Sequence, residues 1–182
     1  MSKIINIDEF AANRGFGRVA AASGGFDPIH PGHASYLKKA SELADILVVI
    51  VNGDGFLTRK KGQPFMPVKD RCQIVSMIQG VDFVVPFDPT DPNDNSVSEA
   101  LQKLKPDFFA KGGDRTDESN IPEWDTCKTN AIKVETGVGW DKEWSSSNYL
   151  GKWAEFKNRS FVDTLVDAGM RIYQWIQTLD KR

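Results

Sequence analysis

Two histidines, the only two in the chain, lie three positions apart in the segment SGGFDPIHPGH, residues 23–33. Such a pair can bind a metal, make structural contacts in a core, or donate hydrogen bonds to an anion. A zinc site needs three or four ligands, and neither Cys72 nor Cys127 has ligand spacing. Carboxylates would have to complete the site, so the sequence argues against zinc.

The elements around this pair indicate a sheet covered on both faces. Segment 46–52, ILVVIVN, is apolar without alternation, which is typical of a buried parallel strand. Helix-like stretches follow the strands at 33–45, 68–80 and 95–106, the last capped by Asn95 or Ser96. The pattern predicts an α/β fold, a Rossmann-like doubly wound parallel sheet of five strands with a C-terminal helical extension. The predicted strands are 18–23, 46–52, 82–87, 107–113 and 131–135.

The histidine segment joins the end of the first predicted strand to the first predicted helix. Ligands of open parallel sheets bind at such strand ends, where the winding reverses. Gly24 and Gly25 allow close approach of the backbone, and the helix beginning near His33 offers unpaired N–H groups. We therefore expect a phosphate site in which His30 and His33 donate hydrogen bonds to charge that develops in a transition state.

Composition narrows the class of protein. The 182 residues carry a net charge of -2 and a pI near 5.7, which gives no global basic field for binding nucleic acid. Two isolated cysteines favour a reducing compartment, and no apolar stretch approaches a secretory signal or a membrane span. We expect a cytoplasmic protein with neither a nucleic-acid nor a membrane partner.

The last part of the chain differs from the rest because its pattern is helical only. We expect a main domain over residues 1–150 and an amphipathic helical extension over 151–182. The extension either folds back on its own domain or forms a subunit interface, and we expect a homodimer. Its helically spaced positions are Phe161, Leu165, Gly169, Ile172, Ile176 and Leu179.

Four segments, in order, resemble one enzyme family. GGFDPIHPGH is similar to the GxFDxxHxGH signature of the cytidylyltransferase-like nucleotidyltransferases, and segment 52–71 is similar to their strand-loop-helix segment with a lysine in the loop. FAKGGD, residues 109–114, resembles the VKGGD segment of the heptose-phosphate nucleotidyltransferases, and WSSSNYL, residues 144–150, resembles their hydroxyl-rich helix start. The resemblance runs from about residue 18 to residue 150.

This resemblance implies a reaction and a set of roles. A phosphate of the acceptor attacks the α-phosphorus of CTP or ATP, pyrophosphate leaves, and Mg²⁺ arrives with the nucleotide. His30, His33 and Lys60 are the implied catalytic residues, while Asp54, Lys61 and Arg71 are implied to bind the acceptor. The implied nucleotide-binding residues are Gly24, Gly25, Phe26, Asp27, Gly32, Lys111, Gly112, Gly113, Asp114, Ser145, Ser146 and Ser147.

Several of these residues also have a structural interpretation. Lys60 lies in RKKGQP, which reads as a solvated charged loop, and Arg71 could begin a helix and pair with Asp70 or another neighbour. Asp27 is more often a carboxylate that fixes a loop than a metal ligand. The phosphate role of the three serines depends on the resemblance alone.

Departures from the family narrow the substrate. Where polyol-phosphate cytidylyltransferases carry RTEGxST, this chain has ETGVGWDKEWSSS, with no arginine and with Trp140 and Trp144 inserted. We expect a transfer to a sugar phosphate or polyol phosphate from ATP or CTP, with the acceptor selected by loops near Asp54 and these tryptophans. The alternatives are a nicotinate-mononucleotide or other cofactor adenylyltransferase, and a nucleotide-binding module without catalysis.

Overall fold

The computed structural model describes residues 3–13, 15, 17–113, 115–140, 143 and 145–179. Five strands form one all-parallel sheet in the order β3-β2-β1-β4-β5. Between β3 and β4 the chain returns to the other side of β1, so the winding reverses between β1 and β4, as the sequence predicts for a doubly wound, Rossmann-like sheet. The strands are β1 (Val19–Gly24), β2 (Ile46–Asn52), β3 (Phe83–Phe87), β4 (Phe108–Ala110) and β5 (Lys133–Glu135).

Seven helices are described in the same part of the chain. Helices α1, α5 and α6 contribute to the apolar cluster on one face of the sheet, and α2 and α4 contribute to the cluster on the other. Their bounds are α1 (Ile7–Ala12), α2 (Pro31–Ala40), α3 (Asp54–Lys61), α4 (Val68–Ser76), α5 (Ser98–Leu104), α6 (Trp124–Thr129) and α7 (Ser146–Leu179).

Strand β2 shows why its sequence is apolar without alternation. Val48 and Ile50 pack into the cluster beneath α1 and α5, while Val49 and Val51 pack into the cluster beneath α2 and α4. All four side chains are fully buried. A strand covered on both faces cannot alternate between apolar and polar residues, so the prediction of a buried parallel strand is confirmed.

The boundaries of several helices differ from the predicted ones. Helix α2 ends at Ala40, before the predicted end at residue 45, and α5 begins at Ser98 with Val97 as its cap, not Asn95 or Ser96. The short helices α1, α3 and α6 are absent from the prediction. Six to eight residues give too little periodicity to recognise a helix, and these three depend on tertiary contacts.

The contacts divide the chain into two compact units, Met1–Trp144 and Ser145–Arg182. The second unit is the continuous 34-residue helix α7, which confirms the predicted C-terminal helical extension. No helix among the described residues combines the length and the apolarity that crossing a membrane requires.

Candidate active site

The two histidines lie at the N-terminus of α2. His30 is the N-cap residue with extended backbone, Pro31 occupies the first helical turn, and the His33 amide donates to the His30 carbonyl at 2.9 Å. The two imidazole rings stack, with centroids 3.7 Å apart and planes 20° apart. The rings of His33 and the buried Phe26 form an edge-type contact, with their centroids 5.1 Å apart. Both imidazoles are therefore held in one orientation where β1 gives way to α2.

Burial favours the neutral form of both imidazoles. Burial, together with the charges of His30 and Lys61, lowers the pKa of His33 to about 3. Burial, followed by the charge of Lys61, also lowers the pKa of His30. The Nδ1 atom of His33 is buried and has no hydrogen-bond partner among the described residues. A phosphate bound here would oppose these effects, because a nearby anion favours the protonated imidazole.

The lysines of segment 52–71 lie on a helix, which corrects the predicted loop. Lys60 and Lys61 occupy the last turn of α3, before Gly62, which has a φ of +90°. Lys61 Nζ donates to the Asp27 carbonyl at 3.2 Å, and desolvation lowers its pKa while the Asp27 charge acts in the opposite direction. Lys60 Nζ lies 5.8 Å from the centroid of the Phe56 ring. Of the two lysines, Lys61 is the one that acts electrostatically on both histidines.

Asp27 fixes the loop that follows α3. Its side chain is 1% exposed, and its two carboxylate oxygens accept from the amides of Phe65 and Met66 at 2.7 and 2.8 Å. Both oxygens are thus used by the backbone. The structure gives Asp27 the loop-fixing role, and its implied contact with the nucleotide stays a prediction.

Arg71 is fully buried, although it was expected to bind the acceptor's phosphate. Its Nε donates to Met66 O at 2.9 Å, and its Nη1 donates to Gly25 O and Asn52 O at 2.8 and 2.6 Å. Its Nη2 makes an ion pair of 2.7 Å with Asp54, whose side chain is 42% exposed. Arg71 therefore joins the ends of β1 and β2 to α3 and α4. This gives it a structural role, and it pairs with Asp54 where the sequence suggested Asp70 or another neighbour.

At the end of β4, Lys111 forms an ion pair with Glu123, a residue that sequence reasoning missed. Its Nζ lies 2.9 Å from Glu123 Oε2, and both side chains are largely buried. Glu123 Oε1 accepts from the Val97 amide at 3.1 Å, so the carboxylate also holds the turn before α5. Burial lowers the pKa of Lys111, against the effect of Glu123. Glu123 carries no sequence signal, because it lies 12 residues from Lys111 in an irregular segment.

The glycines after Lys111 lie in a crowded corner. A Cβ on Gly112 would come within 2.8 Å of the Val138 carbonyl and 3.0 Å of the Tyr36 ring, and Gly113 has a φ of +67°. Asp114 and Trp144 lie outside the described residues.

Tyr36 of α2 bridges the two strands where the winding reverses. Its hydroxyl donates to Ala110 O at 2.7 Å and accepts from the Ser23 amide at 3.3 Å. The preceding residue, Ser35, accepts from the Trp140 amide at 3.0 Å, so the segment after β5 lies against the first turns of α2. Tyr36 is a second residue that sequence reasoning missed, since one tyrosine on a helix gives no signal of such a bridge.

The glycines of the first loop also pack closely. A Cβ on Gly24 would lie 3.0 Å from the Phe26 ring, and one on Gly25 would lie 3.0 Å from Leu57 of α3. Gly32 lies in the first turn of α2, between the two histidines. The structure thus brings this loop, both histidines and Lys61 together.

The three serines belong to the second compact unit. Ser146 and Ser147 begin α7, and the Ser145 carbonyl accepts from the Tyr149 amide at 3.1 Å. Their phosphate role remains a prediction from the resemblance.

Neither thiol has the character of a ligand or a nucleophile. Cys72 and Cys127 are buried and free, and burial raises the pKa of each to about 11. Among the residues that the structure describes, no three His, Cys, Asp or Glu side chains form a group that could hold a metal ion.

The sequence profile of the cytidylyltransferase-like family matches residues 21–160. The bifunctional protein HldE of Helicobacter pylori (strain ATCC 700392 / 26695) is 34% identical over 137 residues, which cover 74% of this chain and 29% of that protein. The protein of the same name from Methylococcus capsulatus is 38% identical over 106 residues, which cover 57% and 21%. The chain therefore spans less than a third of the length of these relatives.

Two solved structures share the fold. The lipopolysaccharide core biosynthesis protein of Thermoplasma volcanium is 26% identical, with a TM-score of 0.57 over 69% of this chain and 100% of that one. Pantoate-beta-alanine ligase of Francisella tularensis, crystallised with beta-gamma ATP and beta-alanine, has a TM-score of 0.58 over 82% of this chain and 73% of that one. At 16% identity, this second likeness concerns the fold alone.

Proposed function

The chain belongs to the cytidylyltransferase-like family and is a nucleotide-transferring enzyme; we propose that it transfers a nucleotidyl group from ATP or CTP to a sugar phosphate or polyol phosphate. An oxygen of the acceptor's phosphate forms a bond to the α-phosphorus of the nucleotide. The bond from the α-phosphorus to the bridging oxygen breaks, and pyrophosphate leaves with the electron pair. Mg²⁺ enters as part of the nucleotide substrate.

The observation that carries the proposal is the stacked pair His30 and His33 at the N-terminus of α2. A neutral imidazole keeps one N–H donor, and the helix terminus adds backbone donors and a positive dipole end. A triphosphate is the anion that such a cluster suits, because charge builds up on its oxygens as the bond to the leaving group breaks. No side chain has to act as a nucleophile in this reaction.

Lys61 supports the same proposal. Its charge lowers the pKa of both imidazoles, and its ammonium donates a hydrogen bond to the Asp27 carbonyl in the histidine loop. A cation between the two reacting phosphates would reduce the repulsion between nucleotide and acceptor. Lys60, expected to do this, remains a neighbour that assists by charge.

The sugar or polyol part of the proposal is supported by a sequence motif and by the relatives of the chain. The FAKGGD segment resembles that of the heptose-phosphate nucleotidyltransferases, and the chain is similar to the bifunctional protein HldE and to a lipopolysaccharide core biosynthesis protein. The absence of arginine from segment 135–147 disfavours a glycerol-phosphate acceptor. We propose a phosphorylated sugar as the first acceptor to test.

The test is pyrophosphate release from each nucleoside triphosphate with Mg²⁺ and a panel of acceptors: sugar phosphates, polyol phosphates and nicotinate mononucleotide. We expect release with ATP or CTP and a sugar or polyol phosphate. His33→Ala should lower turnover by ~10²–10³-fold, the loss typical of removing a transition-state donor. Lys39→Ala, an exposed substitution on the same helix, is the matched control and should have no effect.

Two outcomes would contradict the proposal. Release with nicotinate mononucleotide but with no sugar or polyol phosphate would assign the enzyme to the cofactor adenylyltransferases. Normal turnover in the folded His33→Ala variant would separate the histidine pair from catalysis.

A further inference from the structure

Helix α7 exposes an exceptional number of large apolar side chains. All the side chains described between residues 151 and 176 are exposed. Phe161, Tyr173 and Trp175 are 65, 64 and 63% exposed. Scattered apolar residues are normal on a surface, but contiguous ones mark an interaction site.

Ten of the exposed residues form two neighbouring rows with a regular spacing. One row is Phe161, Leu165, Ala168, Ile172 and Trp175, and the other is Val162, Val166, Gly169, Tyr173 and Ile176. We call them the paired rows. Within each row the steps are four, three, four and three residues, an average of 3.5, which is the repeat that keeps an apolar seam facing a second helix.

The opposite face of α7 carries balanced charge. Arg159, Asp163, Asp167 and Arg171 follow one another at intervals of four residues, so this ridge holds two positive and two negative side chains. Helices that bind anionic membranes instead carry an excess of Lys and Arg on the polar face. The charge pattern therefore favours a protein partner over an anionic lipid surface.

The exposed apolar area of α7 approaches the area that each partner buries in a stable interface. Since an aromatic side chain buries roughly 150–250 Å², the three rings named above offer about 350 Å² in their exposed parts. The aliphatic residues of the paired rows bring the total toward the roughly 800 Å² per partner of a standard interface. A 3.5-residue repeat is self-complementary, so a second copy of α7 presents a seam of the same length and spacing.

We propose that α7 is a dimerisation element that pairs, along the paired rows, with α7 of a second copy of this chain. The aromatic and branched side chains of both copies then interdigitate, and the charged ridges face solvent. The inference does not rest on the proposed chemistry, because no residue of the paired rows belongs to the nucleotide site.

The test is sedimentation velocity of the full chain over a wide range of protein concentration. We expect a reversible monomer–dimer equilibrium, with the helical circular dichroism signal falling as the dimer dissociates. The double variant Leu165→Glu/Ile172→Glu places charge in the seam, so it should remain monomeric where the wild type is dimeric. Arg159→Glu/Arg171→Glu makes the same kind of change on the charged ridge and should leave the dimer intact.

Other outcomes overturn the proposal. A wild type that is monomeric at every concentration excludes self-pairing. If the Leu165→Glu/Ile172→Glu variant dimerises as well as the wild type, the interface lies elsewhere. Co-sedimentation of monomeric wild type with vesicles of phosphatidylcholine and phosphatidylserine would assign the apolar face to a membrane surface. Pyrophosphate release is measured on the same samples, so failure of the dimer and failure of the enzyme are distinguished.

Discussion

At the scale of single residues, the two adjacent lysines at the end of α3 are expected to differ. Lys61 bonds to the Asp27 carbonyl and lowers the pKa of both histidines, whereas Lys60 lies over the Phe56 ring. Lys61→Ala should therefore reduce kcat/KM by ~10²-fold or more, as expected when a charge that stabilises the transition state is lost. Lys60→Ala is the matched control, with a smaller loss. Equal losses in the two variants would contradict this assignment.

Arg71 is expected to matter for stability before activity. Removing its guanidinium in Arg71→Met leaves three carbonyls without their donor, at about 1–3 kcal/mol each, so the variant should lose at least about 3 kcal/mol of unfolding free energy. Urea unfolding measures this, with the exposed Lys69→Met as the control. A stable Arg71→Met protein that had lost only its affinity for the acceptor would restore the role expected from the sequence.

At the scale of elements, α3 depends on a carboxylate from the loop after β3. Asp88 accepts from the amides of Gly55 and Phe56 at 3.3 and 2.6 Å, and a Cβ on Gly53 would lie 2.0 Å from its Oδ2. Gly53→Ala should therefore cost about 1–3 kcal/mol, as overpacking does. The double variant Gly53→Ala/Asp88→Ala removes the side chain that the added methyl group would meet. It should therefore lose less free energy of unfolding than the two single variants lose together.

The control for this pair of substitutions is Gly151→Ala on α7. Apart from its chain neighbours and the backbone of its own helix, no atom of the described residues lies within 4 Å of the added methyl group. It should be neutral or slightly stabilising, because alanine favours a helix over glycine. Additive effects of the two substitutions in the cycle would show that Asp88 and Gly53 act independently.

At the scale of the whole molecule, the partly buried histidines should make stability depend on pH. The folded-state pKa of His33 is about 3, below the ordinary value of 6.5, so the unfolded chain binds its proton first as the pH falls. The contribution of His33 to the free energy of unfolding is complete above pH 6.5. It is lost as the pH falls toward 3, with a slope of up to about 1.4 kcal/mol per pH unit for each proton. His30 acts in the same direction.

Urea unfolding of the wild type and of His33→Gln across this window checks the expectation. The variant should lose less stability between neutral and acid pH than the wild type. Parallel pH profiles for the two proteins would show that His33 is not the group that titrates.

The sequence determined the parts that depend on neighbouring residues. The continuous apolar run of β2 requires burial on both faces, and the glycines and histidines of segment 23–33 require a strand-to-helix loop. The ordered motifs were sufficient to identify the family, and the amphipathic repeat was sufficient to predict a helical end. These features depend on residue types at short separations along the chain, so the sequence is sufficient to predict them.

The tertiary structure alone decided which charged residues face the candidate site and which hold it together. Arg71 and Asp27 lie in segments that resemble functional motifs, but the groups that take up their side-chain hydrogen bonds lie 5 to 46 and 38 to 39 residues away, respectively. Glu123 beside Lys111 gives no signal in its own segment. A buried charge is defined by the groups that surround it, and these meet only when the strands have paired and the helices have packed.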